Sequence, residues 1–407
     1  MTGFHEVFIQ ILVLLAVSIA VIAVAKLFNR PYSIALVLAG LIIGLADIPF
    51  LEASKDYITQ SHIFQSVIIS LFLPILLGDA SIKLPYSHLK RERKPVLLLS
   101  FAGTFAAYLC VGFGAYFFLD MPVISAFTFA ALMSATDPIS VISIFKSLGV
   151  PEKIVTIIEG ESLFNDGVAI VLFQISSLYL ISYLSMGIAG AGSGLLMFIT
   201  FSAGGVLLGA AMGYLFSQII RLYDDYPLEI ALSALMFFAS YFIAEHLNVS
   251  GVIAVVTGGI IFGNYGAKVG MSETTKTNIN SFWDTITLIA NSLIFLMIGL
   301  EVKNINFTDK WGLIVIAILI VLISRTIAVY GVLSFLKGIG PKSKILLNWG
   351  GLRGSLSIAL ALSLPASFSG RDEILVLTFS VVLFSLLIQG MTIEPLIRRL
   401  KARSSSN

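Results

Sequence analysis

The chain reads as an all-α polytopic membrane protein, and three observations predict it. Of its 407 residues, 57% are hydrophobic and only 12% charged, about half the charged share of an average soluble domain. Apolar runs of roughly 20 residues, enough to cross a bilayer core as helix, recur from end to end. Lysines and arginines gather in the breaks between these runs and on alternate sides of them.

Loop punctuation gives about thirteen spans: 6–27, 32–50, 61–82, 95–119, 122–147, 154–182, 193–220, 227–246, 249–267, 280–301, 311–336, 343–365 and 372–396. In the first, the run from Val7 to Phe28 is followed rather than preceded by Lys26 and Arg30. That is the charge order of an uncleaved span whose N-terminus is translocated. The second carries Gly40 and Gly44, and the seventh a Gly205, Gly209, Gly213 stripe, spacings that suit close helix contact. The fifth is broken by SATDPIS and the twelfth by WGGLRGS, while the thirteenth ends in a short basic tail. With the N-terminus outside and the C-terminus cytoplasmic, most of the 25 Lys and Arg fall inside. Lys55, Lys303, Lys310 and Arg371 fall outside, and Arg325 and Arg353 stay within spans. Six spans on either side of a seventh suggest two inverted six-helix repeats, with spans 5 and 12 as the crossed, broken pair.

Several function classes are excluded. One cysteine, Cys110, allows neither an intrachain disulfide nor a cysteine-held cluster. The four histidines are scattered, without a metal-binding spacing. A net charge of +2 argues against nucleic acid, and no nucleotide motif is present. No cofactor is expected.

Charge within a bilayer costs about 2.5–3.5 kcal/mol per Asp, Lys or Arg and marks function by default. The candidates are Asp79, Asp137, Glu159, Glu161, Asp166, Arg325 and Arg353. On the sixth span, Ser162 and Asp166 lie about 40° apart on a helix, as do Glu161 and Asn165, and the two pairs are offset by about 100°. One pair can line a cavity while Glu161 turns toward a buried arginine; a structural salt-bridge network is the alternative. In the fifth span, Pro138 removes a helical hydrogen bond and frees carbonyls, tolerated in a membrane only against protein or a water-filled cavity. Beside it the Thr136 carbonyl and the Asp137 carboxylate offer hard oxygen donors suited to a small alkali cation, although Asp137 capping the second half-helix fits as well. Gly350, Gly351 and Gly354 loosen the twelfth span or let helices pack closely, and Arg353 places a cation at its break. Asp79, near the end of the third span, is either a site residue or an interfacial partner of Lys83.

ATDP at 135–138, GESLFND at 160–166 and WGGLRG at 349–354, with FWDTITLIANSLIFLMIGLE at 282–301, together resemble the monovalent cation/proton antiporters. The match is to the NhaP-type branch, which includes the animal sodium/proton exchangers. The resemblance runs over nearly the whole chain. It implies a homodimer of thirteen-span protomers in the cell (inner) membrane, and the chain looks prokaryotic. A dimerisation domain (1–94 and 227–303) would hold a moving core (95–182 and 304–397), with a linker helix at 183–226 and a tail at 398–407. By motif, Asp166 is the cation- and proton-binding carboxylate with Asn165 before it, and Asp137, Ser162 and Thr136 complete the Na⁺ cage. Glu161 would pair with Arg325, and Arg353 would stabilise the second crossing helix. An acid near the end of span three usually faces the site; here it is aspartate where glutamate is expected, so Asp79 has a shorter reach.

A carboxylate in a narrow, dry cavity is penalised when ionised, and either a proton or Na⁺ (or Li⁺) relieves that penalty. The expected activity is therefore Na⁺/H⁺ exchange, electroneutral one for one because Asn165 replaces a second aspartate, with K⁺/H⁺ exchange as the alternative. An intramembrane aspartyl protease fits poorly, since Leu76-Leu77-Gly78-Asp79 lacks the first glycine of GxGD. A cation channel is the other rival.

Overall fold

The structure, a computed structural model, describes residues 2–28, 31–46, 68–301, 310–365 and 367–405. Expectations that fall on 29–30, 47–67 and 302–309 lie outside the described residues; they include Arg30, Lys55, Lys303, the start of the third span and the boundary at 303/304.

All regular structure among the described residues is helical. A bilayer offers no water to backbone amides, and a helix satisfies them within the segment. Among the described residues eight helices are long and apolar enough to cross a membrane, and Leu12–Leu27, Tyr32–Leu45 and Val123–Leu132 are shorter apolar helices. In chain order, α1 is Thr2–Leu27, α2 Tyr32–Leu45 and α3 Leu73–Lys83. Next come α4 (Arg93–Phe118), α5 (Val123–Leu132), α6 (Ile139–Ser147) and α7 (Glu152–Ser185). They are followed by α8 (Ile188–Ile220), α9 (Tyr226–His246), α10 (Gly251–Val269) and α11 (Glu273–Glu301). The last four are α12 (Trp311–Ser334), α13 (Pro341–Trp349), α14 (Ser355–Leu362) and α15 (Arg371–Leu400).

Packing sorts these helices into two neighbourhoods. Helix α11 lies on α1, α2, α3 and α9, while α10 lies on α3, α8 and α9. The glycine stripes let these helices approach closely. A Cβ on Gly205 or Gly213 would meet the carbonyl of Ser250 or Gly258 on α10, and one on Gly40 the Leu296 carbonyl on α11. In the second neighbourhood α12 packs on α4 and α15, and α4 on α5. The inner half of α7 packs between α4, α5 and α10. Large apolar side chains such as Phe117, Ile188, Leu207 and Phe335 are exposed on the outer surface, where a lipid environment satisfies them.

Candidate functional site

The two breaks in regular helix meet. Helix α5 stops at Leu132 and α6 begins at Ile139, with residues 135–138 outside any regular helix between them. Helices α13 and α14 are likewise separated by 351–354. The Asp137 amide donates to the Leu352 carbonyl at 2.8 Å, so the breaks are bonded backbone to backbone.

The carbonyls left open at the end of α5 are satisfied by the other broken helix. Ser357 donates to Leu132 O at 2.6 Å, and Arg353 Nη1 donates to Ala135 O at 2.9 Å and Ser134 O at 3.3 Å. A guanidinium at the negative end of a helix is also favourable to its dipole. Arg353, expected to steady the second crossing helix, thus spends its side chain on the first. Its own amide donates to Ser385 Oγ at 2.9 Å. Ser385 lies in the π-helical turn Ser385–Gln389, a distortion that frees local geometry for such contacts.

Helix α7 supplies the central residues. Glu161 turns away from the break of α5 and accepts from both Nη atoms of Arg325, whose Nη2 also donates to Leu347 O at 2.8 Å. Glu161 is 2% and Arg325 7% exposed. Gly351 is needed here, because a Cβ would lie 2.7 Å from Arg325 Cζ. About 100° around the helix, Ser162 and Asp166 face the break of α5 and line a cavity. Asn165 Nδ2 donates to Thr136 Oγ1 at 2.7 Å, and that oxygen is 2.9 Å from Ser162 Oγ. Asn165 is buried and lies outside the cavity lining, so its amide holds Thr136 in place from behind.

The cavity measures about 490 Å³ and reaches Thr136, Asp137, Pro138, Ser162, Asp166 and Gly354. Asp137 Oδ1 accepts the Ile139 amide at 3.0 Å at the start of α6. Asp137 Oδ2 and Asp166 Oδ1 are buried with no hydrogen-bond donor. Gly354 packs directly against the Asp137 side chain, and any Cβ there collides with it. Gly350 fits under Leu346 O and Ile158. Two buried carboxylate oxygens without donors, next to hydroxyls of Thr136 and Ser162, form an oxygen-rich pocket that suits a small hard cation.

Asp79 lines the same cavity but is ion-paired with Lys83, whose Nζ also reaches Asp284 Oδ1 at 2.6 Å. Glu159 and Lys146 line this end of the cavity too. The sequence reading missed the opposite wall. Tyr32, Asp284, Thr287 and Asn291 all line it from α2 and α11, and Asn291 is fully buried with its side chain beside the Tyr32 hydroxyl. The signal available was an Asn–Ser pair inside the apolar run 286–300, with Asp284, Thr287 and Asn291 on one helical face.

A family model for "Sodium/hydrogen exchanger, transmembrane" matches residues 12–399. The chain belongs to the sodium/hydrogen exchanger family. It is 64% identical over 400 residues to the Na⁺/H⁺ antiporter NhaH of Halobacillus dabanensis, covering 98% of this chain and 99% of that relative. It is 54% identical to the Na⁺/H⁺ antiporter NhaG of Bacillus atrophaeus, covering 97% of this chain and 75% of that one. The fold is similar to the solved sodium proton antiporter MjNhaP1 of Methanocaldococcus jannaschii, with a TM-score of 0.79 at 23% identity over 97% of this chain and 99% of that chain. These relatives place the exchanger in the NhaP-type branch.

Proposed function

We propose that this exchanger moves Na⁺, or Li⁺, against H⁺ across the prokaryotic cell membrane by alternating access, with cation and proton competing for Asp166 and Asp137. The observation that carries the proposal is the pair of buried, donorless oxygens, Asp166 Oδ1 and Asp137 Oδ2, in one cavity. Two carboxylates so placed repel each other and are poorly solvated, so the pair is stable only when a proton or a cation is present. Either ligand suffices and each excludes the other, which is the condition for exchange rather than leak. Thr136 and Ser162 would supply the remaining oxygens to Na⁺, and no cofactor or nucleotide enters the cycle.

Asp79 sits toward the mouth, held by Lys83, and would guide cations inward without touching the bound one. Asn165 is uncharged, so one Na⁺ exchanges for one H⁺ and the cycle is electroneutral. The moving core would comprise spans 4–6 and 11–13 of a thirteen-span, inverted-repeat protomer, and the homodimer would form through the remaining spans. The separate packing neighbourhoods around α11 and around α12 support that division. The cavity mouth, at the end where Lys83 and Lys146 lie, would face the cytoplasm, with the N-terminus outside and the C-terminus inside.

The test is Asp166→Asn in proteoliposomes. Sodium-dependent dissipation of a pH gradient should be abolished while the protein elutes as a folded species. Exchange that persists at wild-type rate removes Asp166 from the site.

A further inference from the structure

A second cavity, of about 640 Å³, lies apart from the cation site, where the short helix Tyr86–Arg91 turns into α4. Lys90, Arg91, Arg93, Lys94, Lys153 and Lys337 line it, from that short helix, the starts of α4 and α7 and the loop after α12. One acid stands among them. Glu92 is 7% exposed and lies 3.3 Å from Arg91 and 3.7 Å from Lys153. Lys153 also donates to Gly338 O at 3.0 Å, tying the α7 start to the loop after α12. Among the described residues no acid pairs with Lys90, Arg93, Lys94 or Lys337. Orienting charges alone would scatter these residues over the surface. Here they converge on one concavity with four cations unneutralised.

We infer that this pocket binds the phosphate head group of an anionic phospholipid. Its surroundings favour a lipid over a free anion. The helix that carries Arg93 and Lys94 runs straight into an apolar span, so the pocket lies at head-group level. Above it Leu97, Leu98, Phe101 and Phe105 are exposed on α4, 46%, 39%, 38% and 50% respectively. From Lys94 to Phe105 is about 16 Å along the helix axis, close to half of the ~30 Å hydrocarbon core. Cations at one end and an apolar strip one leaflet deep match a single lipid lying head-down against α4. A soluble phosphate would use the first feature and leave the second without a role. Because the pocket joins α4, α7 and the α12–α13 loop, the lipid would clamp three elements that the Glu92–Lys153 pair and the Lys153–Gly338 bond already link there.

Purified exchanger in neutral detergent tests this by its unfolding temperature as lipid is added. Phosphatidylglycerol should raise it saturably. Phosphatidylcholine, and inorganic phosphate at equal concentration, should not. Lys90→Gln/Arg93→Gln/Lys94→Gln/Lys337→Gln should weaken the apparent phosphatidylglycerol affinity at least ten-fold, whereas Arg398→Gln/Arg399→Gln should leave it unchanged. Phosphatidylglycerol with a photoactivatable acyl chain, used on the unmodified protein, should crosslink within 97–105 and so does not depend on the variant folding. Stabilisation by phosphatidylcholine or phosphate equal to that by phosphatidylglycerol overturns the inference. So does a quadruple variant with undiminished affinity, or labelling confined to other helices.

Discussion

Replacing Glu161 by Gln probes the frame that aims Asp166 without touching the cation site. Both Glu161 oxygens engage Arg325, and among the described residues the only other acceptor the guanidinium reaches is Leu347 O. At 2% and 7% exposure the two groups have no recourse to water. The variant keeps the side-chain shape but strands a cation among apolar neighbours. Removing one member of a buried pair costs about 3–5 kcal/mol. At ~2 °C per kcal/mol for a large chain, the unfolding temperature in detergent should fall by about 6–10 °C. The double variant Glu161→Gln/Arg325→Met removes the stranded charge as well, so it should recover about half of that loss or more. Thermal unfolding of the purified single and double variants, scored by the monodisperse fraction after heating, measures both. A single variant within about 1 kcal/mol of wild type, or losses that simply add, would refute the pairing as the element that fixes α7 against α12.

Other consequences are direct. Gly354→Ala drives a methyl group into the Asp137 side chain, so sodium-dependent exchange should drop at least ten-fold in proteoliposomes while the fold persists; unchanged exchange would mean that Asp137 is free to move. If one Na⁺ exchanges for one H⁺, an imposed membrane potential should leave the exchange rate unaltered, and a marked voltage dependence would require a second proton. Asn165→Ala removes one of the two hydrogen bonds at Thr136 Oγ1, leaving that with Ser162 Oγ, and should raise the sodium KM by about ten-fold, the scale of one lost buried hydrogen bond, with less effect on the maximal rate.

Much of the site was legible because charge is so rare in this chain. Asp137, Glu161, Asp166, Arg325 and Arg353 stand out in apolar runs, and helical spacing alone separates Ser162 and Asp166 from Glu161. Family resemblance supplied the partner of Glu161. Long-range geometry was not legible. Nothing local to Arg353 says that it reaches carbonyls 218 and 219 positions earlier. Nor does the sequence say whether Asn165 offers its oxygen to a cation or its amide to Thr136, because both orientations suit the same position on the helix. Asn291 went unseen because a neutral amide in an apolar run carries no charge signal; the Lys83–Asp79 pair was legible at i,i+4, but Asp284, the second acid on Lys83, lies on another helix. The basic cluster at 90–94 reads from sequence only as a topology signal. Its convergence with Lys153 and Lys337 is a property of the fold.

Competition at one pocket is most directly read from protons. Mixing NaCl with purified exchanger in weakly buffered solution should release about one H⁺ per Na⁺ bound once the solution is acid enough for the pocket to start protonated, with Asp166→Asn releasing none. Sodium binding with no proton release, at every acidity where the protein remains folded, would contradict it.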